Sequence, residues 1–242
     1  MAFTRGWGWV AGGFGLFRKN PVILLVLNMV LLLIALALSV VPVVGMYLLY
    51  LLTPLFLAGL MVACRDLAAG EEIEIAHLFH GFREASSQLI TLGGVYLVGN
   101  VLIAGIAMAL GGEELREVMK AAASGSPQSV SAQAADKASV AVLIGAALYI
   151  PLVMALWFAP ALVILDKVPG WRALGLSLRA CLLNILPFLL YGAIMSVLLL
   201  LALMLVVLGL ALWVPLAVAT TYVSYREVFP AASKPAQPAA LP

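Results

Sequence analysis

The sequence predicts an all-α, polytopic membrane bundle of six transmembrane helices arranged as three hairpins, each preceded by an amphipathic interfacial helix. Three observations carry this. Hydrophobic residues make up 65% of the 242 and charged residues 10%, against roughly 45–50% and about 25% in soluble domains. So few charges cannot cover a water-facing surface. Residues 20–64 and 180–225 contain no Asp, Glu, Lys or Arg, and each stretch is about twice the ~20 residues a helix needs to cross the hydrocarbon core. The segments ahead of the first, third and fifth spans place their apolar residues on one helical face.

Taken in order, Trp7, Val10, Phe14 and Phe17 recur at helical spacing in the first amphipathic segment. A span over Pro21–Val41 follows, then a tight turn marked by Pro42 and Gly45, then a span over Val43–Cys64. Residues 65–87 are polar, but Ile75, Leu78, Phe79 and Phe82 share one helical arc. A third span covers Gln88–Leu110, and residues 111–137 are polar, with a Ser-Gly-Ser-Pro break at 124–127. The fourth span covers Ala138–Leu165. Trp171, Leu174, Leu178 and Leu182 then form a stripe flanked by Arg172 and Arg179. The last apolar stretch divides near Gly209 into spans of 184–207 and 209–225, and the Pro/Ala-rich tail 230–242 is expected to be disordered. Each amphipathic segment would lie in the headgroup layer with its basic residues snorkelling. The alternative is that these stripes pack on the bundle. Small residues at Ala141/Gly145 and Ala147/Pro151/Ala155/Ala159 make the fourth span the expected central helix.

Six spans place both termini on one side of the membrane. That side carries Arg5, Arg18, Lys19, Arg65, Arg83, Lys167, Arg172, Arg179, Arg226 and Lys234, and the other carries Arg116, Lys120 and Lys137. This basic excess makes both termini cytoplasmic. Ala35-Leu36-Ala37 has the form of a leader cleavage site, but the apolar run 21–41 is longer than a leader's 7–15 residues, so no cleavage is expected. Cys64 and Cys181 are expected to be packing residues rather than a disulfide.

An internal repeat follows from matched intervals. Trp7 to Asn20 equals Trp171 to Asn184, and Pro54 to Arg65 equals Pro215 to Arg226. An acid follows each arginine, Asp66 and Glu227, and the middle block ends at Asp166-Lys167. Arg65, Asp66, Asp166, Arg226 and Glu227 are therefore candidate ties between hairpins, with the arginine of one pair meeting an acid of another.

The remaining polar residues point away from catalysis. Glu74, His77, His80 and Glu84 are metal-capable types, but their arc opposes the Leu78/Phe82 stripe, so they are expected to face water. No Asp, Glu, Lys, Arg or His lies within a span, which argues against a proton-coupled carrier. Ser196 has no embedded His or Lys to activate it. Asn28 and Asn100 are the deep amides that would line any cavity. Pro54, Pro151, Pro160, Pro187 and Pro215 kink or end their helices.

The stretch Ala159–Asp166, with Ser177–Asn184, Tyr222–Phe229 and Phe17-Arg18-Lys19-Asn20-Pro21, resembles the BPSS-type family of uncharacterised proteobacterial membrane proteins. More distantly it is similar to the membrane domain fused to some glycerophosphodiester phosphodiesterases. The resemblance implies a bacterial inner-membrane location and an all-helical fold, and supplies no catalytic residue. The expected function is a non-enzymatic accessory, scaffold or lipid-interacting envelope protein. The alternative is a small-solute or lipid transporter working through kinked helices. The expected partners are membrane lipids and, as an open alternative, an unidentified membrane protein. No cofactor, metal or nucleic acid is expected.

Overall fold

The computed structural model describes residues 1–125 and 131–230. The tail expected to be disordered lies outside these from residue 231 onward, as does residue 126–127 of the expected break. The described chain is helical throughout: α1 Arg5–Lys19, α2 Pro21–Ser39, α3 Val44–Ala69, a 3-10 turn Ile75–Phe79 running into α4 His80–Glu84, α5 Ser86–Ala123, α6 Ala132–Trp157, α7 Ala159–Asp166, α8 Gly170–Leu183, α9 Ile185–Met204 and α10 Val206–Val228.

Local chemistry sets the corners. The Asn20 side chain accepts from the Ile23 N–H at 3.3 Å, and Pro21 follows at the first helical position. Together they end α1 and start α2 without a loop. At α8–α9, the Asn184 amide donates to the Ala180 carbonyl at 2.8 Å. Between α2 and α3 the chain reverses through Val43 at φ 63°, with the Val44 N–H donating to the Pro42 carbonyl at 2.7 Å. A β-branched residue there is strained.

Five helical stretches are long and apolar enough to cross a membrane: Pro21–Ser39, Val44–Ala69, Ser86–Ala123, Ala132–Asp166 and Ile185–Met204. Lipid-facing rows such as Leu32, Leu33 and Leu36 on α2 and Leu186, Leu189 and Leu200 on α9 are exposed, far more apolar surface than a soluble monomer carries. The polar stretch expected as a loop over 111–137 is helical at both ends. After Gly112 at φ 50°, α5 continues to Ala123, and α6 begins at Ala132. Lys137 pairs with Glu114 at 2.6 Å, and Leu115, Ala138 and Ala141 bury a small core there, so the two extensions support each other.

The central helix is α3, not the fourth expected span. Over its apolar window α3 is 56% buried, against 11% for Ala132–Asp166. Leu55, Leu60, Val62 and Cys64 of α3 meet Leu24 and Leu27 of α2, Leu89 and Leu92 of α5, Phe158 and Leu162 of the α6–α7 junction, and Ala219 and Tyr225 of α10. Small residues on α6 allow close approach mainly to α5, because its outer face carries the exposed Val142, Leu143 and Ile150.

The amphipathic segments combine both expected behaviours. On α1, Gly6, Trp9, Val10, Gly13 and Leu16 are buried against the bundle, while Trp7 and Phe14 are exposed. On α8, Ala173, Leu174, Ser177 and Cys181 are buried, while Trp171 and Leu182 are exposed. Each therefore packs one face and leaves a tryptophan face outward. The second segment is not one helix but the 3-10 turn plus α4. The packing is offset. α1 lies on α9 and α10, the 3-10 turn and α4 lie on α3, and α8 lies on α6, α7 and α5. Each leading segment thus packs mainly on helices other than the two that follow it.

The matched sequence spacing extends to the turns. The interval from Trp7 to Trp171 also separates Leu38 from Ala202 and Gly45 from Gly209. A Cβ on Gly45 would lie 1.8 Å from the Leu38 carbonyl oxygen, and one on Gly209 2.0 Å from that of Ala202. Only glycine allows that backbone approach.

Candidate functional site

The five charged residues singled out in the sequence lie at or near the ends of α3, α7 and α10, but they pair differently from the expectation. Arg65 Nε bonds its own neighbour, Asp66 Oδ1, at 2.7 Å. The other oxygen of Asp66 meets His77 Nε2 at 3.1 Å. The His77 Nδ1 accepts from the Glu74 N–H at 3.0 Å, so Nε2 carries the proton and donates to Asp66. His77 therefore faces α3 rather than water, its side chain 14% exposed. Asp166 accepts from the Tyr225 hydroxyl, linking α7 to α10. Glu227 accepts from the buried Trp9 indole at 2.9 Å and pairs with Arg5 at 3.0 Å, holding α1 on α10. Arg226 stacks 6.0 Å from the Tyr222 ring centre and has no acid among the described ion pairs. The arginines thus do not bridge to another block's acid. Arg226 and Glu227 address different neighbours because α1 brings Trp9 and Arg5 to Glu227.

Outside the spans, Lys167 Nζ meets Glu84 at 2.9 Å, joining α4 to the α7–α8 connection. This ammonium is the main cause holding the Glu84 carboxyl below its ordinary value. Burial pushes the Cys181 thiol up to about 12, which makes it unreactive. Cys64 is also buried, and both cysteines are free.

A cavity of about 510 Å³ opens between α3, α5, α6, α7, α9 and α10. Pro54, Leu57 and Met61 form one wall, Val153, Leu156 and Pro160 a second, and Met195, Leu199, Val214 and Val218 a third. Its polar wall residues are mostly engaged with the protein itself. Thr53 donates to the Leu49 carbonyl at 2.6 Å, Tyr96 and Tyr149 share a hydrogen bond of 3.3 Å, and Tyr191 meets Thr220 at 2.9 Å. The Trp213 indole donates to the Met195 carbonyl at 3.0 Å, and Thr221 to the Ala217 carbonyl at 2.9 Å. The Trp157 Nε1 is buried with no hydrogen-bond partner among the described residues.

Asn28 and Asn100, expected to line such a cavity, are not among its walls. Each donates to the carbonyl one turn earlier, Leu24 and Tyr96, both at 2.8 Å. The residues missed were tyrosines and tryptophans. Their polar tips could have been marked by the prolines nearby, at 54, 151, 160 and 215.

Beside the cavity, the fourth expected span breaks at Phe158. Pro160 removes the donor for the Leu156 carbonyl and its ring crowds that oxygen. The Ser177 hydroxyl of α8 enters the gap. It accepts from the Phe158 N–H at 2.9 Å and donates to the Met154 carbonyl at 2.7 Å. Those two backbone groups would bond each other in a continuous helix, so one fully buried side chain replaces one rung.

No family model and no solved structure matches the chain. It is 34% identical over 198 residues to the probable inner membrane protein BTH_II0599 of Burkholderia thailandensis, an alignment covering 79% of this chain and 72% of that protein. With an apolar all-helical bundle carrying several membrane-length helices, and a relative of that identity and coverage, the chain belongs to the family of this inner membrane protein.

Proposed function

We propose that this protein is a non-enzymatic, lipid-binding inner-membrane protein that holds an apolar chain in the cavity at the centre of its bundle. The carrying observation is the cavity itself. Its volume lies within the ~300–1,000 Å³ of ligand pockets, and its wall tyrosines, threonines and Trp213 are engaged in hydrogen bonds with the protein's own groups. A site of that kind selects by shape and apolar contact, which suits a hydrocarbon chain entering from the bilayer. Among the described residues its walls are apolar, aromatic, hydroxyl-bearing or glycine residues, a lining suited to a hydrocarbon chain.

In this reading α10 is the sixth span. Its 23 residues extend about 35 Å, and both termini face the cytoplasm. Single cysteines at Ser126 and Ser233, in a background lacking Cys64 and Cys181, test the orientation. An impermeant thiol reagent added to whole cells should label position 126 and spare 233.

The cavity is tested with a photoreactive fatty acid. A Cβ at Gly192, on the cavity wall, would meet nothing within 4 Å, so Gly192→Leu fills space without displacing backbone. Crosslinks should map to α9 and α10 in the wild type and fall several-fold in Gly192→Leu at unchanged thermal stability. Equal labelling of the two proteins would remove the cavity as the binding site. A second reading, transport of the same ligand, is favoured by the Ser177-bridged break beside cavity residues Trp157 and Pro160. It requires α7 to move relative to α6, and ligand exchange between vesicle leaflets would distinguish it from static binding.

A further inference from the structure

A second cleft, of about 530 Å³, lies between α1, the end of α3 and the last turns of α10, with Gly15, Lys19, Ala68, Tyr222, Arg226 and Glu227 among its walls. Its charges are not balanced. In the repeat-related position, Arg65 is neutralised by Asp66 at 2.7 Å. Here the corresponding acid, Glu227, also lines the cleft, but its two oxygens are taken by Arg5 and Trp9 of α1 rather than by Arg226. Arg226 is left exposed over the Tyr222 ring. Lys19 is fixed opposite it, its ammonium donating to the Ala68 and Leu67 carbonyls at 3.0 and 3.3 Å, with one of three donors still free. Two cations thus face one cleft, one a planar fork and the other a held point charge. That is the donor set that recognises a phosphate oxygen group.

The cleft also sits where a lipid phosphate would lie. It is walled by the amphipathic α1, whose Trp7 and Phe14 are exposed on its outer side, the disposition of a helix seated among headgroups. At Gly15 a Cβ would meet nothing within 4 Å, so the α1 wall has room for a bulky group. We infer that this cleft binds the phosphate of an anionic phospholipid headgroup, with Arg226 and Lys19 as its ligands. The site is separate from the acyl-chain cavity and does not depend on it.

The test uses the full chain purified in a neutral detergent, titrated with phosphatidylglycerol, phosphatidylcholine or inorganic phosphate. Thermal stability and bound-lipid mass are followed together. Phosphatidylglycerol should bind and stabilise in preference to phosphatidylcholine, and Arg226→Gln should weaken that binding about ten-fold or more, as expected for one charged hydrogen-bonding partner. Arg18→Gln makes the same change of charge outside the cleft and should keep the preference. Gly15→Asp places a carboxylate on the open α1 wall and should abolish it, which keeps the test decisive should Arg226→Gln fold poorly. Equal response to both lipids, or a preference surviving both Arg226→Gln and Gly15→Asp, overturns the proposal. Saturable, Arg226-dependent stabilisation by inorganic phosphate alone would overturn the lipid source and assign the site to a soluble phosphate. Loss of acyl crosslinking in Gly192→Leu with this preference intact would separate the two sites.

Discussion

Replacing Ser177 by Ala removes the hydroxyl that satisfies two backbone groups at the break between α6 and α7. The Phe158 N–H and the Met154 carbonyl then lose partners at 2.9 and 2.7 Å at a site that is 0% exposed. The Met154 carbonyl keeps a weaker partner, the Cys181 thiol donating at 3.6 Å, so the Phe158 N–H is the group left bare, at a cost of about 1–3 kcal/mol if nothing moved. The two groups are one helical rung apart, however, and partial straightening lets them bond each other. Pro160 opposes full straightening, so the expected loss is about 2 kcal/mol. For a chain of this size that lowers the unfolding midpoint by about 4–8 °C. Thermal unfolding in detergent, followed by intrinsic fluorescence, measures it. Ser196→Ala, at a cavity-wall hydroxyl with no hydrogen-bond partner among the described residues, should change stability by less than about 0.5 kcal/mol. Pro160→Ala restores the missing donor, so the double variant Ser177→Ala/Pro160→Ala should lose less than the sum of its single changes. A Ser177→Ala protein as stable as the wild type, with additive behaviour in the double variant, would refute the bridged-break reasoning.

Gly45→Ala forces a Cβ to 1.8 Å from the Leu38 carbonyl oxygen, and should destabilise by about 1–3 kcal/mol, read as a lower denaturation midpoint. Gly209→Ala should behave alike at the related turn, since its Cβ would lie 2.0 Å from the Ala202 oxygen. Glu227→Ala strips the acceptor from the buried Trp9 indole at a cost of about 1–3 kcal/mol, and hydrogen exchange over residues 5–19 should speed up while α3 stays protected. The Lys167 partner lowers the Glu84 carboxyl from its ordinary value of 4.5. A lowered folded value gives stability that is present above 4.5 and lost as pH falls through the folded value. Because the pair is largely exposed, the wild-type advantage over Glu84→Gln should be at most about 0.5 kcal/mol at pH 6 and should vanish on acidification below the folded value.

Hydropathy is a local property, which is why the apolar stretches, the Asn20-Pro21 corner and the glycine-marked turn at 42–45 were legible one segment at a time. The tryptophan and asparagine intervals that relate α1 to α8 were legible for the same reason. The places where reading from sequence fell short all depend on which neighbour a side chain meets. Arg65-Asp66 and Arg226-Glu227 look alike in sequence, but the first is an ion pair and the second is split, because α1 brings Trp9 and Arg5 to Glu227. His77 belongs to a polar arc by spacing, yet a 3-10 turn re-aims it at Asp66. Asn28 and Asn100 lie within apolar stretches and were expected to line a cavity, but helix carbonyls one turn away take their donors. The cavity needs walls from six helices at once, and no local pattern encodes that meeting. A bilayer selects for apolar length, which any single segment displays by itself. Pairing, cavities and the bridged break depend on contacts between residues far apart in sequence, such as Ser177 with Met154 and Tyr225 with Asp166, and only the packed bundle decides those.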